Sequence, residues 1–110
     1  MIRLDDLQYE GLRLYQDTEA DCFSLDAVKL ANFMRFTPRD RVIDLGAGNG
    51  VLSVLGAAKT GAAFTGIDRQ ESQIALAVRS AALNGQSILF HVMDVADAPP
   101  LSATGSLPGR

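Results

Sequence analysis

Three glycines at alternate positions, Gly46, Gly48 and Gly50, follow a short apolar stretch at residues 42–45. The apolar residues predict a buried strand, and the glycines predict a tight turn into a helix. Glycine permits positive φ angles there and lets a ligand approach the backbone closely. The start of the helix adds unpaired N–H groups and a partial positive charge. The stretch therefore predicts a loop that binds a nucleotide-like cofactor, although a glycine turn without a ligand would show the same pattern.

The spacing of these glycines separates two classes of cofactor. A dinucleotide fingerprint would need its third glycine at position 51, where the chain has Val51, so a nicotinamide cofactor is disfavoured. A second apolar segment, residues 62–67, ends at Asp68, which lies 22 residues after Gly46. A carboxylate at roughly this offset can accept hydrogen bonds from ribose hydroxyls. Asp68 could also hold the turn before the next helix, and the two roles are compatible.

Strand and helix patterns alternate from residue 41 onward. Helical periodicity is expected at residues 51–59 and 71–83, and a third strand at 87–93. This alternation predicts an α/β fold with a parallel sheet and right-handed crossovers. Ligands bind at the carboxyl ends of such strands. Two further acids lie at these ends, Asp44 at the first strand and Asp94 at the third, where a solvated acid is the alternative explanation for Asp94.

The residues before this unit predict a β-hairpin and a helix. Residues 4–15 alternate partly between apolar and polar residues and contain Gly11, which suits a short hairpin. A helix is expected over residues 25–34, with Ser24 as its N-cap and Thr37-Pro38 as its stop.

Composition and charge favour a small soluble protein. Among the 110 residues, 47% are apolar, but no run approaches the roughly eighteen apolar residues of a membrane span. A single cysteine excludes an intramolecular disulfide and a cysteine-rich metal site, and the acidic N-terminus is unlike a signal peptide, so we expect a cytoplasmic location. Residues 1–26 hold seven acids and two arginines, a net charge of −5, which gives that segment no electrostatic attraction for nucleic acid.

The acid and loop at residues 44–50, Asp-Leu-Gly-Ala-Gly-Asn-Gly, resemble the first motif of class I S-adenosylmethionine (SAM)-dependent methyltransferases. The resemblance implies a Rossmann-like parallel sheet, SAM or its product S-adenosylhomocysteine (SAH) as ligand, and no metal. It also implies that Asp94 accepts a hydrogen bond from the adenine amino group of the cofactor. The implied contacts at the loop and strand ends are Asp44, Gly46, Ala47, Gly48, Asn49, Asp68, Arg69, Asp94 and Val95.

A narrower resemblance lies before the loop. Gln16, and then the pattern Phe-Ser-x-Asp-Ala-Val-x-Leu-Ala-x-Phe at residues 23–33, resemble small adenine-N6 methyltransferases, including enzymes that modify an anticodon-loop adenine of valine tRNA. The resemblance implies that Phe23, Ser24 and Asp26 contact the methionine end of SAM and that RNA is a partner. Lys29 departs from the pattern, since relatives have an apolar residue there. An ordinary capped amphipathic helix would explain the same residues.

The motif Asn/Asp-Pro-Pro-Tyr/Phe, which in that family holds and stacks on the target adenine, does not occur in the 110 residues. The Pro99-Pro100 pair is preceded by Ala98 and followed by Leu101. We therefore predict no catalytic residue, and we expect the chain to be a truncated, cofactor-binding portion that transfers no methyl group by itself. A non-catalytic SAM-binding module and, with less support, a nicotinamide-binding half-domain are the alternatives.

The expected organisation has three parts: a hairpin and helix at residues 1–40, a SAM-binding βαβαβ unit at 41–95, and a loop or disordered tail at 96–110. The third strand would leave an edge exposed where a fourth strand of the family pairs, and one sheet face would lack helices. These features predict self-association through the sheet edge, which light scattering during size-exclusion chromatography would detect.

Overall fold

The computed structural model describes residues 1–20, 25–94 and 96. The chain begins with two strands, β1 (Ile2–Asp6) and β2 (Arg13–Asp17), and continues with helix α1 (Leu25–Asn32). None of the described helices is long and apolar enough to cross a membrane. The elements that follow are β3 (Arg41–Leu45), α2 (Val51–Thr60), β4 (Ala63–Asp68), α3 (Glu71–Leu83) and β5 (Leu89–Val92).

Strands β3, β4 and β5 form a parallel sheet in that order, which confirms the predicted α/β fold. Helices α2 and α3 pack on the sheet face that carries Phe64, Gly66 and Phe90. A Cβ atom added to Gly56 of α2 would lie 2.4 Å from the Phe64 ring, and one added to Gly66 would lie 2.6 Å from the Phe90 ring. Glycine at both positions therefore allows the aromatic rings to pack between the helices and the sheet.

The hairpin is antiparallel and has the predicted turn. Leu7 donates its N–H to the carbonyl of Leu12 at 2.9 Å, and Gly11 has a φ of 73°. Three buried leucines from the hairpin join α2 in one apolar cluster, so the hairpin is part of the core and not an appendage. The cluster contains Leu7, Leu12, Leu14, Ala31, Val51, Val54 and Leu55.

Side chains of α3, and of Asn84 directly after it, hold the other side of the hairpin. Asn84 accepts the N–H of Arg13 at 2.9 Å and donates to its carbonyl at 2.8 Å. Ser80 accepts the N–H of Tyr15 at 2.8 Å, and the guanidinium of Arg79 lies 4.2 Å from the centre of the Tyr15 ring. Strand β2 therefore pairs with β1 on one edge and with helix side chains on the other, which satisfies backbone groups that an edge strand would expose.

Strands β3 and β5 are the outer strands of the parallel sheet in the described part of the chain. The third strand of the unit, β5, is thus an edge strand in the described residues, as predicted, and β3 is a second edge strand there. Self-association through an edge stays a prediction.

Some element boundaries differ from those predicted. Helix α1 ends at Asn32, before the expected stop at Thr37-Pro38, and β5 is shorter than the predicted strand. Helix α3 has the predicted bounds, since Asn84-Gly85 ends it and Gly85 has a φ of 69°.

Candidate functional site

A cleft of about 300 Å³ lies at the carboxyl ends of the parallel strands. Four of its residues were predicted from the sequence as cofactor contacts, and they come from the ends of three different strands. The sequence missed Gln70, which directly follows the strand-end pair of Asp68 and Arg69. The lining residues are Gly46, Asp68, Arg69, Gln70 and Asp94.

The glycine loop is held against β4 by its backbone. The N–H groups of Gly46 and Ala47 both donate to the carbonyl of Ile67 at 2.8 Å, and Gly50 donates to Ala47 at 2.9 Å. All three glycines of the loop have positive φ, as the spacing predicted. A Cβ atom added to Gly46 or Gly48 would have no other atom within 4 Å. The loop therefore presents open space to a ligand at its first two glycines.

Asp68 joins the loop to the cleft. Its Oδ2 atom accepts the N–H of Gly48 at 3.0 Å, and its Oδ1 atom accepts the N–H of Gln70 at 2.8 Å. A carboxylate oxygen has two lone pairs, so each oxygen can accept a further hydrogen bond. The turn-holding role and the capacity to bind a ligand hydroxyl thus coexist in one side chain.

Asp94 lies across the cleft from the glycine loop, at the end of β5. Its Oδ1 atom accepts the N–H of Ala96 at 3.0 Å, and the preceding residue, Met93, donates its N–H to the carbonyl of Asp68 at 3.1 Å. The side chain is exposed and retains acceptor capacity. Asp68 and Asp94 consequently place two carboxylates on one small cleft, which suits a ligand with several N–H and O–H donors.

Asp44 is not among the residues that line this cleft. Its Oδ2 atom accepts a hydrogen bond from the hydroxyl of Ser53, in the first turn of α2, at 2.9 Å. The residue borders a separate, mainly apolar groove of about 370 Å³ between α1 and β3. Burial raises the pKa of the Asp44 carboxyl above 3.8, the Ser53 hydrogen bond opposes this, and the charge of Asp68 raises it further. In the structure, Asp44 links β3 to α2.

The substitution Asp44→Asn tests the cost of this buried charge. A raised folded-state pKa means that the folded chain binds more protons than the unfolded chain between pH 3.8 and the folded pKa, so stability from this group is lost as pH rises through that window. Asparagine keeps an acceptor for Ser53 without the charge. We expect the difference in the free energy of unfolding, variant minus natural chain, to become more positive as the pH is raised from 4 to 7.

Urea denaturation at several pH values measures this difference, and Asp40→Asn, which replaces an exposed acid, is the control. A pH-independent difference between Asp44→Asn and the natural chain would contradict the raised pKa.

Asn49 faces the hairpin. Its Nδ2 atom donates to Oε1 of Gln16 at 3.2 Å, and both side chains are buried, with exposed fractions of 5% and 1%. The sequence marked Gln16 through its resemblance to a family segment but gave no sign of this contact. The predicted contacts Phe23, Ser24 and Val95, and the side chain of Asp26, lie outside the described residues.

Comparisons with solved structures show the same fold. TYW2 of P. horikoshii in complex with MeSAdo matches with a TM-score of 0.74 and 23% identity, over 89% of this chain and 38% of that one. The Pyrococcus abyssi tRNA (uracil-54, C5)-methyltransferase in complex with SAH gives a TM-score of 0.69 and 16% identity, over 84% and 24%. An RNA methyltransferase from Salinibacter ruber in complex with SAH gives 0.63 and 21%, over 72% and 53%.

The chain spans well under two thirds of the length of each of these proteins. Their bound compounds are consistent with SAM as the cofactor of methyltransferases. No curated protein sequence matches the chain. A family model described as a methyltransferase domain matches residues 36–105, which is more than half of the chain and includes the glycine loop and the three strand ends. The chain therefore belongs to the methyltransferase domain family.

Proposed function

We propose that the chain binds SAM in the cleft at the ends of β3, β4 and β5 and supplies the cofactor site of a methyltransferase. One observation carries the proposal: Gly46, the first residue of the open glycine loop, lines the same cleft as the carboxylates of Asp68 and Asp94. When bound, SAM supplies a methyl group on a positively charged sulfonium. The site residues need only bind and orient this group.

The residues present fit SAM better than a dinucleotide. SAM has a ribose diol, an adenine amino group and a methionine ammonium, all of which donate hydrogen bonds, and the cleft offers two carboxylates to accept them. A dinucleotide instead brings a pyrophosphate, which prefers a glycine-rich helix start with Gly-x-Gly-x-x-Gly spacing. Val51 occupies the third glycine position, and its side chain is buried.

Calorimetric titration with SAH, and separately with NAD, tests the cofactor proposal. We expect saturable binding of SAH and none of NAD, with circular dichroism showing that the chain is folded. Binding of NAD alone would identify a dinucleotide site, and a folded chain that binds neither would remove the proposal.

We further propose RNA adenine, at its N6 atom, as the methyl acceptor of the protein to which this site contributes. The support is the resemblance of Gln16 and residues 23–33 to small adenine-N6 methyltransferases, together with the RNA-methyltransferase names of structural neighbours that share the fold. The acceptor motif of that family does not occur in this sequence. The alternative is a SAM-binding module whose acceptor residues come from a partner.

A methyl-transfer assay tests the adenine acceptor. The chain is incubated with SAM labelled on its methyl group and with unmodified tRNA transcripts, and the RNA is then digested to nucleosides. Labelled N6-methyladenosine would support the adenine acceptor, and a different methylated nucleoside would contradict it. SAH binding without any transfer is the result expected if the chain supplies only the cofactor site, whatever the acceptor.

A further inference from the structure

A series of hydrogen-bonded polar side chains, buried at Gln16 and Asn49 and exposed at Arg3, connects the N-terminal hairpin to the glycine loop. Asn49 donates to Gln16, and the Nε2 atom of Gln16 donates to the carboxylate of Asp5 on β1. The Nε atom of Arg3 lies 2.8 and 2.9 Å from the two oxygens of Asp5. The Arg3 charge compensates the carboxylate, so the series from Arg3 to Asn49 ends in no unpaired charge.

Asn49 lies in the middle of the glycine-rich part of the loop, so its contact with Gln16 restricts the loop conformation. Its neighbours Gly48 and Gly50 both have positive φ, a region in which glycine has wide conformational freedom. In the other contacts described above between the loop and the rest of the chain, backbone N–H groups of the loop donate to the carbonyl of Ile67 and to the carboxylate of Asp68. The Asn49 amide connects the loop to an element outside the sheet and its helices, across 33 residues of sequence.

The hairpin that carries Gln16 is itself held in place by the rest of the fold. It is packed on α2 through its leucines and bonded to α3 at Ser80 and Asn84. A buried amide that lost Gln16 would leave its donor unsatisfied, which drives the loop toward conformations in which Asn49 reaches solvent. Such conformations would also move the N–H of Gly48 away from Asp68, at the edge of the cleft.

We propose that Gln16 is a positioning residue for the cofactor: through Asn49 it fixes the glycine loop in the conformation that binds SAM. The inference rests on the proposed cofactor site. Gln16 itself does not line the cleft, and it acts by reducing the number of loop conformations available before binding.

A double-mutant cycle tests the proposal, with Gln16→Ala, Asn49→Ala and the double variant titrated with SAH. We expect each single variant to bind SAH about tenfold more weakly. The double variant should bind no more weakly than the poorer single variant, because the same Asn49–Gln16 hydrogen bond is lost in both. Gln16→Met, which fills the space without the amide, should show the same loss and so exclude a cavity effect.

Amide hydrogen exchange in the ligand-free chain provides a readout that loss of stability alone would not produce. Gln16→Met should accelerate exchange at Gly48 and Gly50 while leaving the amides in the middle of α3 unchanged. The matched control is Asn84→Ala, which removes the two hydrogen bonds to Arg13 at the start of β2 but leaves the Ser80 bond, the leucine packing and the Gln16–Asn49 contact in place. It should lower the melting temperature without changing the affinity for SAH.

The titrations distinguish failure of the positioning role of Gln16 from failure of the proposed cofactor site. A natural chain that is folded but binds no SAH would overturn both. A natural chain that binds SAH, with unchanged affinity in Gln16→Met or with losses that add across the cycle, would overturn the positioning role alone.

Discussion

Asp68→Ala is expected to lower the affinity of the chain for SAH by about 100-fold. The substitution removes the acceptor of the Gly48 and Gln70 N–H groups as well as the carboxylate that faces the cleft. A hydrogen bond to a charged group contributes about 1.5–3 kcal/mol, and 100-fold in affinity corresponds to about 2.7 kcal/mol. Calorimetric titration measures the change, and an affinity within twofold of the natural chain would contradict the assigned role.

Two further variants show which function of the carboxylate is lost. Asp68→Asn keeps one acceptor oxygen but sets an amide NH₂ against a backbone N–H donor, so it should lose nearly as much affinity. Asp6→Ala is the matched control, because Asp6 holds a turn in the same way, accepting the N–H of Gln8 at 2.7 Å, but lies in the hairpin. It should cost some stability and leave SAH binding unchanged.

Gly50→Ala is expected to reduce the free energy of unfolding by about 3 kcal/mol, because two penalties combine. Gly50 has a φ of 87°, and a left-handed conformation costs an L-residue about 1–2 kcal/mol. The added Cβ would also lie 2.9 Å from the Cβ of Ala77 and 3.1 Å from the Phe90 ring. Overpacking of this kind costs about 1–3 kcal/mol, and the Ala77 methyl is fixed to the backbone of α3.

Gly48→Ala separates the two penalties. Gly48 also has a positive φ, 57°, but its added Cβ would meet nothing within 4 Å. The variant should therefore lose only the conformational part, about 1 kcal/mol. Urea denaturation followed by circular dichroism measures both. Equal decreases in the free energy of unfolding of the two variants would show that the contact with Ala77 and Phe90 does not destabilise Gly50→Ala.

Much of the parallel sheet follows from local patterns in the sequence. Three of these patterns act over only a few residues: the glycine spacing, the Asn84-Gly85 helix stop and the acids at strand ends. The helix stop predicts the end of α3. The other two predict the cleft that Gly46, Asp68 and Asp94 line. A helix stop or a tight turn restricts the backbone in any tertiary context. This is why those elements could be predicted without knowing what packs against them.

The roles of Asp44, Asn49 and Gln16 depend on contacts that local patterns do not encode. Whether the Asp44 carboxylate faces the cleft or Ser53 is decided by how α2 packs on β3. The Asn49–Gln16 contact exists only because the hairpin docks beside the loop, which alternation in residues 4–15 does not specify. Side-chain partners of this kind are set by tertiary packing, so they become visible only in the folded chain.

The attachment of the hairpin to α3 has a consequence for the order in which the protein acquires its shape during synthesis. Strand β2 leaves the ribosome early, but Asn84, its partner at Arg13, is made 71 residues later. Until then the hairpin can pack on α2 but lacks its hydrogen bonds to Ser80 and Asn84. Pairings across such distances form slowly because a long loop must close first. The glycine loop, which is supported by that hairpin, can therefore reach its final form only after α3 has been completed.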